Sequence, residues 1–204
     1  MTTTLGAINK VLLFVGERQV RTRNSSPASL KAEDSFVSAL REFSLFDDWP
    51  FLKSWVLATA WTNDVATFDD NVIRVLQVKD VNGVLQQYVD ADFRPEPPAK
   101  TWRFEGSGVN RVQVPSSNAG TNMTFQVQKV ATLPNNENTD IDLPFLAIEA
   151  VIKRAVAFMT LRHMDDSSVA AQYSAEYEVM VQALREKFGR EPVGYRNMYR
   201  RNRF

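Results

Sequence analysis

The sequence contains no cysteine and one histidine, His163, in 204 residues. Lack of cysteine removes disulfides, thiolate metal sites and cysteine nucleophiles together. It leaves the compartment open and favours an intracellular origin. Charge of neither sign is in excess, since 24 Lys and Arg face 24 Asp and Glu. A dedicated nucleic-acid binder needs a strongly basic face, so any DNA contact is expected to be weak and non-specific. Long apolar runs are missing as well. The opening stretch MTTTLGAINKVLLFVGERQV has one apolar patch, 11–15, with no basic segment before it and no small-residue cleavage site behind it, which argues against a signal peptide. No run nears the roughly 20 apolar residues of a membrane-spanning helix, so a soluble chain without a membrane anchor is expected. A fold of this size buries about 70% of the surface that its unfolded chain exposes, enough for a core without staples.

What is present is helix at both ends and β-structure between. Thr4 is placed to cap a first helix whose Leu5, Ile8, Val11, Leu12 and Val15 follow i, i+3, i+4 spacing, with Gly16 as its left-handed stop. After the aperiodic polar linker GERQVRTRNSS, Ser26 and Pro27 open a second helix. Its apolar face is read as Leu30, Val37, Leu40 and Phe43 with Ala32, Phe36 and Ala39, and its end falls near Phe46. The linker is long enough for the two helices to pair antiparallel.

Over 47–134 prolines, glycines and asparagines punctuate short runs of valine, threonine and aromatics, which predicts strands at 55–62, 72–79, 85–90, 101–105, 111–114 and 123–130. Asn82-Gly83 suits a type I′ hairpin turn. The proline-rich stretch 94–98 cannot sit inside a sheet, because proline has no N–H to donate.

Asp142 and Pro144 then open an apolar helix with Phe145, Ile148, Ile152, Ala155 and Met159 on one face and Val151, Phe158 and Leu161 beside it; such a helix must be buried. Beyond the turn HMDDSS a last helix carries the stripe Val169, Tyr173, Tyr177, Met180, Leu184 and Phe188, closed by Gly189 and Pro192.

These elements predict an α+β fold in four parts: an amino-terminal helical pair (1–46), a β-rich insert of sandwich or barrel type (47–134), a second helical pair (135–189) and an extended basic tail (190–204). Neither pair can hide its apolar face alone, so the two are expected to form one bundle. Its core residues are read as Ile8, Leu12, Val15, Phe36, Leu40, Ile148, Ile152, Tyr177, Met180 and Leu184. The tail interleaves Arg196, Arg200, Arg201 and Arg203 with Tyr195, Tyr199 and Phe204 and has no periodic core. Arginine and tyrosine are enriched at protein interfaces, so these seven residues are read as a partner-binding segment, ahead of a role on a nucleic-acid backbone.

Chemistry is scarce. His163 lies beside Asp165 and Asp166 at a helix end, where a histidine favours the helix dipole and aspartates cap the next helix; a metal or base role would need partners that the sequence lacks. Dinucleotide, P-loop and nucleophile-elbow motifs are absent, and Glu105-Gly106-Ser107-Gly108 lacks strand-to-helix context. The pairs Asp47-Asp48 and Asp69-Asp70 read as solvated turns and not as cation sites. Trp49, Phe51, Trp55 and Trp61 read as core aromatics. No catalytic residue, metal or cofactor is expected. Rival readings are a ligand-binding module in the β insert, stacking sugars on Trp102 and Phe104, and a metal-assisted hydrolase centred on His163.

Several strings, in order, resemble the tail tubular A proteins, the head-to-tail adaptors of short-tailed podovirus-type phages. AINKVLLFVGE, from Ala7 to Glu17 with Val20 following, is similar to the opening helix of that family. Trp49-Pro50-Phe51 is similar to its G-W-x-F string, with Asp48 where glycine is usual. The join at 127–134, the apolar helix after it and Ala175-Glu176-Tyr177 in the last helix complete the likeness, which spans most of the chain. The resemblance implies a structural virion protein of the phage tail, assembled in the host cytoplasm. It implies a ring of twelve copies between portal protein and tail nozzle, tail fibres attaching near the nozzle junction, a carboxy-terminal extension reaching the portal, and genome DNA passing through the lumen. A conduit should not grip a polyanion, and a chain of zero net charge has no strong field with which to do so.

Overall fold

A computed structural model describes residues 2–89, 97–105, 111–118 and 122–188. The fold is α+β, with four α-helices and one curled eight-stranded mixed sheet among the described residues. The chain divides into two compact units, residues 1–40 with 132–204 and residues 41–131.

In the first unit α1 spans Thr4–Phe14. Thr3, and not Thr4, is its cap: the Thr3 hydroxyl accepts from the Gly6 N–H at 3.1 Å, while Thr4 itself is buried. Gly16 ends the helix at φ +77°, a conformation that costs glycine no Cβ clash. The start of α1 is also tied to the segment before α3, with the Thr4 and Leu5 N–H groups donating to the Thr139 and Glu137 carbonyls.

Helix α2 spans Pro27–Phe46 and opens on a reciprocal cap: the Ser29 N–H donates to Ser26 Oγ and the Ser26 N–H to Ser29 Oγ. Its buried stripe is Ser29, Ala32, Phe36, Ala39, Leu40 and Phe43. The expected face is therefore rotated. Leu30 and Val37 are exposed, because they lie one residue off the 29–32–36–39–43 row, whose small serine and alanine side chains allow close packing.

Helix α3, Phe145–Met159, packs against α1 and against α4, Ser167–Phe188. It is buried along most of its surface, as its composition requires, with Phe145 exposed at its first turn. A π-helical turn, Thr160–Met164, follows it and leaves Leu161 exposed. Asp165 then takes a left-handed conformation (φ +52°) and Asp166 caps α4, its Oδ1 accepting from the Val169 N–H at 3.0 Å. On α4 the buried positions are Ala170, Tyr177, Val181 and Leu184; Val169, Tyr173, Met180 and Phe188 are only half-buried. Gly189 and Pro192, the expected stop, lie outside the described residues.

The second unit holds β1 (Lys53–Val56), β2 (Ala60–Thr62), β3 (Val65–Thr67), β4 (Val72–Lys79), β5 (Leu85–Tyr88), β6 (Thr101–Phe104), β7 (Arg111–Gln113) and β8 (Thr124–Lys129). The expected strand at 55–62 is two strands, broken at Leu57–Ala58–Thr59, and β3 was not expected. The order is β1-β8-β4-β5-β6-β7-β3-β2, antiparallel except for the β5–β6 pair.

This order forces curvature. β1 and β2 are the two outermost strands, yet three residues join them. That connection reaches at most about 15 Å, whereas the outer strands of a flat eight-stranded sheet stand about 34 Å apart. The sheet accordingly curls into a half-barrel with open edges, and the sandwich alternative is excluded. Its two ends meet in the interior: Phe125 of β8 packs edge-on against Phe68 at 4.9 Å and against Trp61 of β2 at 6.1 Å. Val75, Val78, Val112 and Val127 fill the same core. The β4–β5 turn is not type I′, since Gly83 has positive φ and Asn82 does not. Asp80 holds it instead, Oδ1 accepting from the N–H groups of Asn82 and Val84, both at 2.9 Å.

Candidate assembly surfaces

The partner-binding residues expected in the tail (Tyr195, Arg196, Tyr199, Arg200, Arg201, Arg203 and Phe204) lie outside the described residues. Of the expected core positions, Ile8, Leu12, Phe36, Leu40, Ile148, Ile152, Tyr177 and Leu184 are buried. Val15 and Met180 are half-buried, Val15 because it is the capping residue beyond the last turn of α1 and Met180 because Val181 takes the inward position on α4.

The aromatic group at 49–61 divides. Trp49 is buried and stacks on Phe43 at 4.8 Å and on Phe51 at 5.7 Å, and its indole N–H donates to the Phe43 carbonyl at 2.8 Å. Such ring pairs add about 0.5–1.5 kcal/mol each beyond their buried area. Trp61 is half-buried in the barrel. Trp55 departs from the expectation of a core residue: it is 40% exposed. Its neighbour Val56 pairs with the buried Phe125, so strand alternation turns Trp55 outward. Lys79, which follows the buried Val78, also points outward, and its Nζ lies 4.1 Å from the Trp55 ring centre, a cation–π contact. Opposite Lys79 in the ladder stands exposed Leu85. In β4 every third residue, Val72, Val75 and Val78, is buried, because two register shifts interrupt the alternation that would otherwise mark this face in the sequence.

Trp102 is 1% exposed, in edge contact with Tyr88 and Phe104, so it has no free face on which to stack a sugar. The carboxylate pairs have structural partners: Asp48 pairs with Arg74, and Asp69 Oδ1 accepts from the Thr59 hydroxyl at 3.0 Å. Arg74 in turn donates to Gln128, whose amide donates to the Ser44 and Asp47 carbonyls, a polar brace beneath Trp49. A second network runs from the largely buried Arg103 to Gln113 at 2.8 Å and on to Asp64 at 2.5 Å.

In the helical unit, Arg23 gathers the linker. Its guanidinium pairs with Glu33 and donates to the Pro134 carbonyl at 3.1 Å, and its backbone N–H donates to Glu137 at 2.7 Å. The hydrogen bond to Glu33, opposed by burial and aided by the charges of Glu33 and Glu137, raises its already high pKa. Around Lys153, Phe14 and Tyr173 lie 5.8 Å apart with the ammonium 4.3 Å from the Phe14 ring centre. Lys153 also pairs with Glu176 at 2.8 Å, and that bond, opposed by burial, holds the Glu176 carboxyl below the usual range. On another face, Arg162 of the π turn donates to Ser38 of α2 at 3.3 Å and stands 3.9 Å from Asp34. Val37 on α2 and Leu161 and Met164 on the π turn are exposed. His163 is exposed on the same turn. Among the described residues no group of three His, Cys, Asp or Glu side chains is arranged to hold a metal ion, and no helix is long and apolar enough to cross a membrane.

No protein-family model matches the chain, and none of the curated proteins searched matches it.

Proposed function

We propose that this chain is a non-enzymatic structural subunit of a short-tailed phage virion, the head-to-tail adaptor that joins the portal to the tail nozzle. The observation that carries the proposal is the order of elements. Two helices, the first carrying AINKVLLFVGE, a β unit entered through Trp49-Pro50-Phe51 and an apolar helix followed by a long one succeed each other along the chain, the order that the resemblance to the tail tubular A proteins implies. The chemistry of the described surface is consistent with a partner-binding protein: exposed Trp, Phe and Leu side chains on both units and carboxylates engaged in ion pairs and turns.

In this proposal α1 and α2 form one pair, α3 and α4 the other, and the two pairs make one bundle. Twelve copies form a ring, the bundle and the basic tail with residues 195–204 hold the portal, the β unit faces the nozzle and its fibres, and DNA passes through a lumen that does not grip it. Assembly takes place in the host cytoplasm and the protein ends in the virion. Negative-stain microscopy of the purified protein, alone and mixed with its portal, tests this. Rings stacked on the portal are the expected images; isolated small particles in both samples would refute it.

A further inference from the structure

We propose that the outer face of the sheet around Trp55 and Lys79 docks an acidic protein segment, one that sets a carboxylate beside an apolar side chain. The proposal rests on the adaptor reading, in which the nozzle protein supplies that segment.

The face is laid out by the ladder. Trp55 of β1 stands opposite Gln126 of β8 and Gln126 opposite Gln77 of β4, while Lys79 further along β4 stands opposite Thr124 on one side and Leu85 on the other. Trp55 and Leu85 are exposed, and so are Val81 and Val84 in the turn that joins β4 to β5. That turn is fixed before any partner arrives. The Asp80 carboxylate accepts from the Asn82 and Val84 N–H groups, and the Asp80 N–H donates to the Val84 carbonyl at 3.0 Å. Apolar side chains held out on a preorganised support lose little freedom on docking.

Charge selects the occupant. The neighbouring strands β1, β8, β4 and β5 hold Lys53, Arg74, Lys79 and Lys129 and no Asp or Glu. Asp48, before β1, pairs with Arg74, and Asp80, at the end of β4, accepts from its own turn and from Gln86. Among the described residues Lys79 contacts the Trp55 ring and no carboxylate, and it is half-buried. An incoming carboxylate therefore gains more from this ammonium than from a lysine in open water. A nucleic acid fits less well, since its backbone needs cations spaced along a groove, and aliphatic Val81, Val84 and Leu85 offer it nothing. A two-fold contact of this face with itself would bring Lys79 toward Lys79, with no acidic residue on these strands to offset the repulsion.

The test mixes full-length protein, carrying a photo-cross-linking phenylalanine derivative at Leu85 and assembled on its portal, with purified nozzle protein, and maps the adducts by mass spectrometry. Adducts on a nozzle segment that holds Asp or Glu next to an apolar residue are expected. In binding titrations Lys79→Glu should weaken nozzle docking about tenfold and Trp55→Ala about thirtyfold, with portal docking and the thermal midpoint of Lys79→Glu unchanged. Replacing the cross-linked carboxylate by lysine should restore docking to Lys79→Glu. Adducts on another copy of this chain, none on the nozzle, or an unchanged affinity of Lys79→Glu would overturn the docking face while the adaptor reading stands. A wild-type protein that joins neither portal nor nozzle would remove both.

Discussion

The Asn9 side chain is bonded through both ends of its amide to one residue, Val20: Oδ1 accepts from the Val20 N–H at 2.8 Å and Nδ2 donates to the Val20 carbonyl at 2.9 Å. The pair fastens the chain that returns from α1 after the Gly16 turn, so Asn9 and Val20 have a local structural role. Asn9→Ala leaves both Val20 groups without these partners and should cost about 1–3 kcal/mol. Asn9→Asp keeps the acceptor, loses the donor and should fall between. Urea midpoints of the three proteins check the order; an Asn9→Ala midpoint equal to wild type would contradict it.

Tyr177 is 3% exposed, in the middle of α4. Tyr177→Asp puts a charge where water cannot follow and should destabilise the helical unit by about 3–5 kcal/mol, whereas Tyr177→Phe keeps the ring and should cost far less. Thermal melts of both variants measure this. An unchanged midpoint for Tyr177→Asp would refute the burial.

The Glu176 carboxyl is held low first by its hydrogen bond to Lys153, with Gln172 and the Lys153 charge assisting against burial. A carboxyl whose folded pKa is depressed stabilises the fold above its unfolded pKa, and that contribution is lost as pH falls through the folded value. Because the side chain is 39% exposed, the contribution should stay below about 1 kcal/mol. NMR titration should place Glu176 below an ordinary glutamate, and Lys153→Gln should return it toward one. A titration unaffected by Lys153→Gln would contradict the assignment.

Helix positions were legible because caps and stops are local: Ser26 with Pro27, Gly16 and Asp166 each act through their own backbone neighbourhood. Faces were less legible. Leu30 and Val37 looked inward by hydrophobicity, yet the row through Ala32 and Ala39 packs more closely, and small residues give a weak hydropathy signal. The split of 55–62 depends on the curl of a sheet whose edges are β1 and β2, a non-local constraint that the local run of β-formers does not encode. The Trp55 face is hidden in the sequence for the same reason, because a tryptophan suggests burial by its residue type while its exposure depends on the pairing of β1 with β8.

Removing residues 195–204 should leave the fold intact and weaken portal docking, because the segment lies past the expected stop at Gly189 and Pro192 and has no apolar periodicity. Circular dichroism and portal binding of the truncated protein separate the two effects. Loss of helical signal, or unchanged docking, would count against it.

DNA affinity should be weak, indifferent to sequence and quickly lost with salt. Contacts from Arg196, Arg200, Arg201 and Arg203 alone would give a log–log salt slope of about −4, and that slope should vanish in the complex if the portal covers them. Tight, sequence-selective binding at physiological salt would overturn the conduit reading.

Native mass spectrometry of the full-length protein, alone and after mixing with its portal, measures the central claim most directly. A single closed species of about twelve copies on the portal, the number that the proposed adaptor role implies, is expected whether or not the ring forms before docking. A monomer in both samples, with no mass added to the portal, would contradict it.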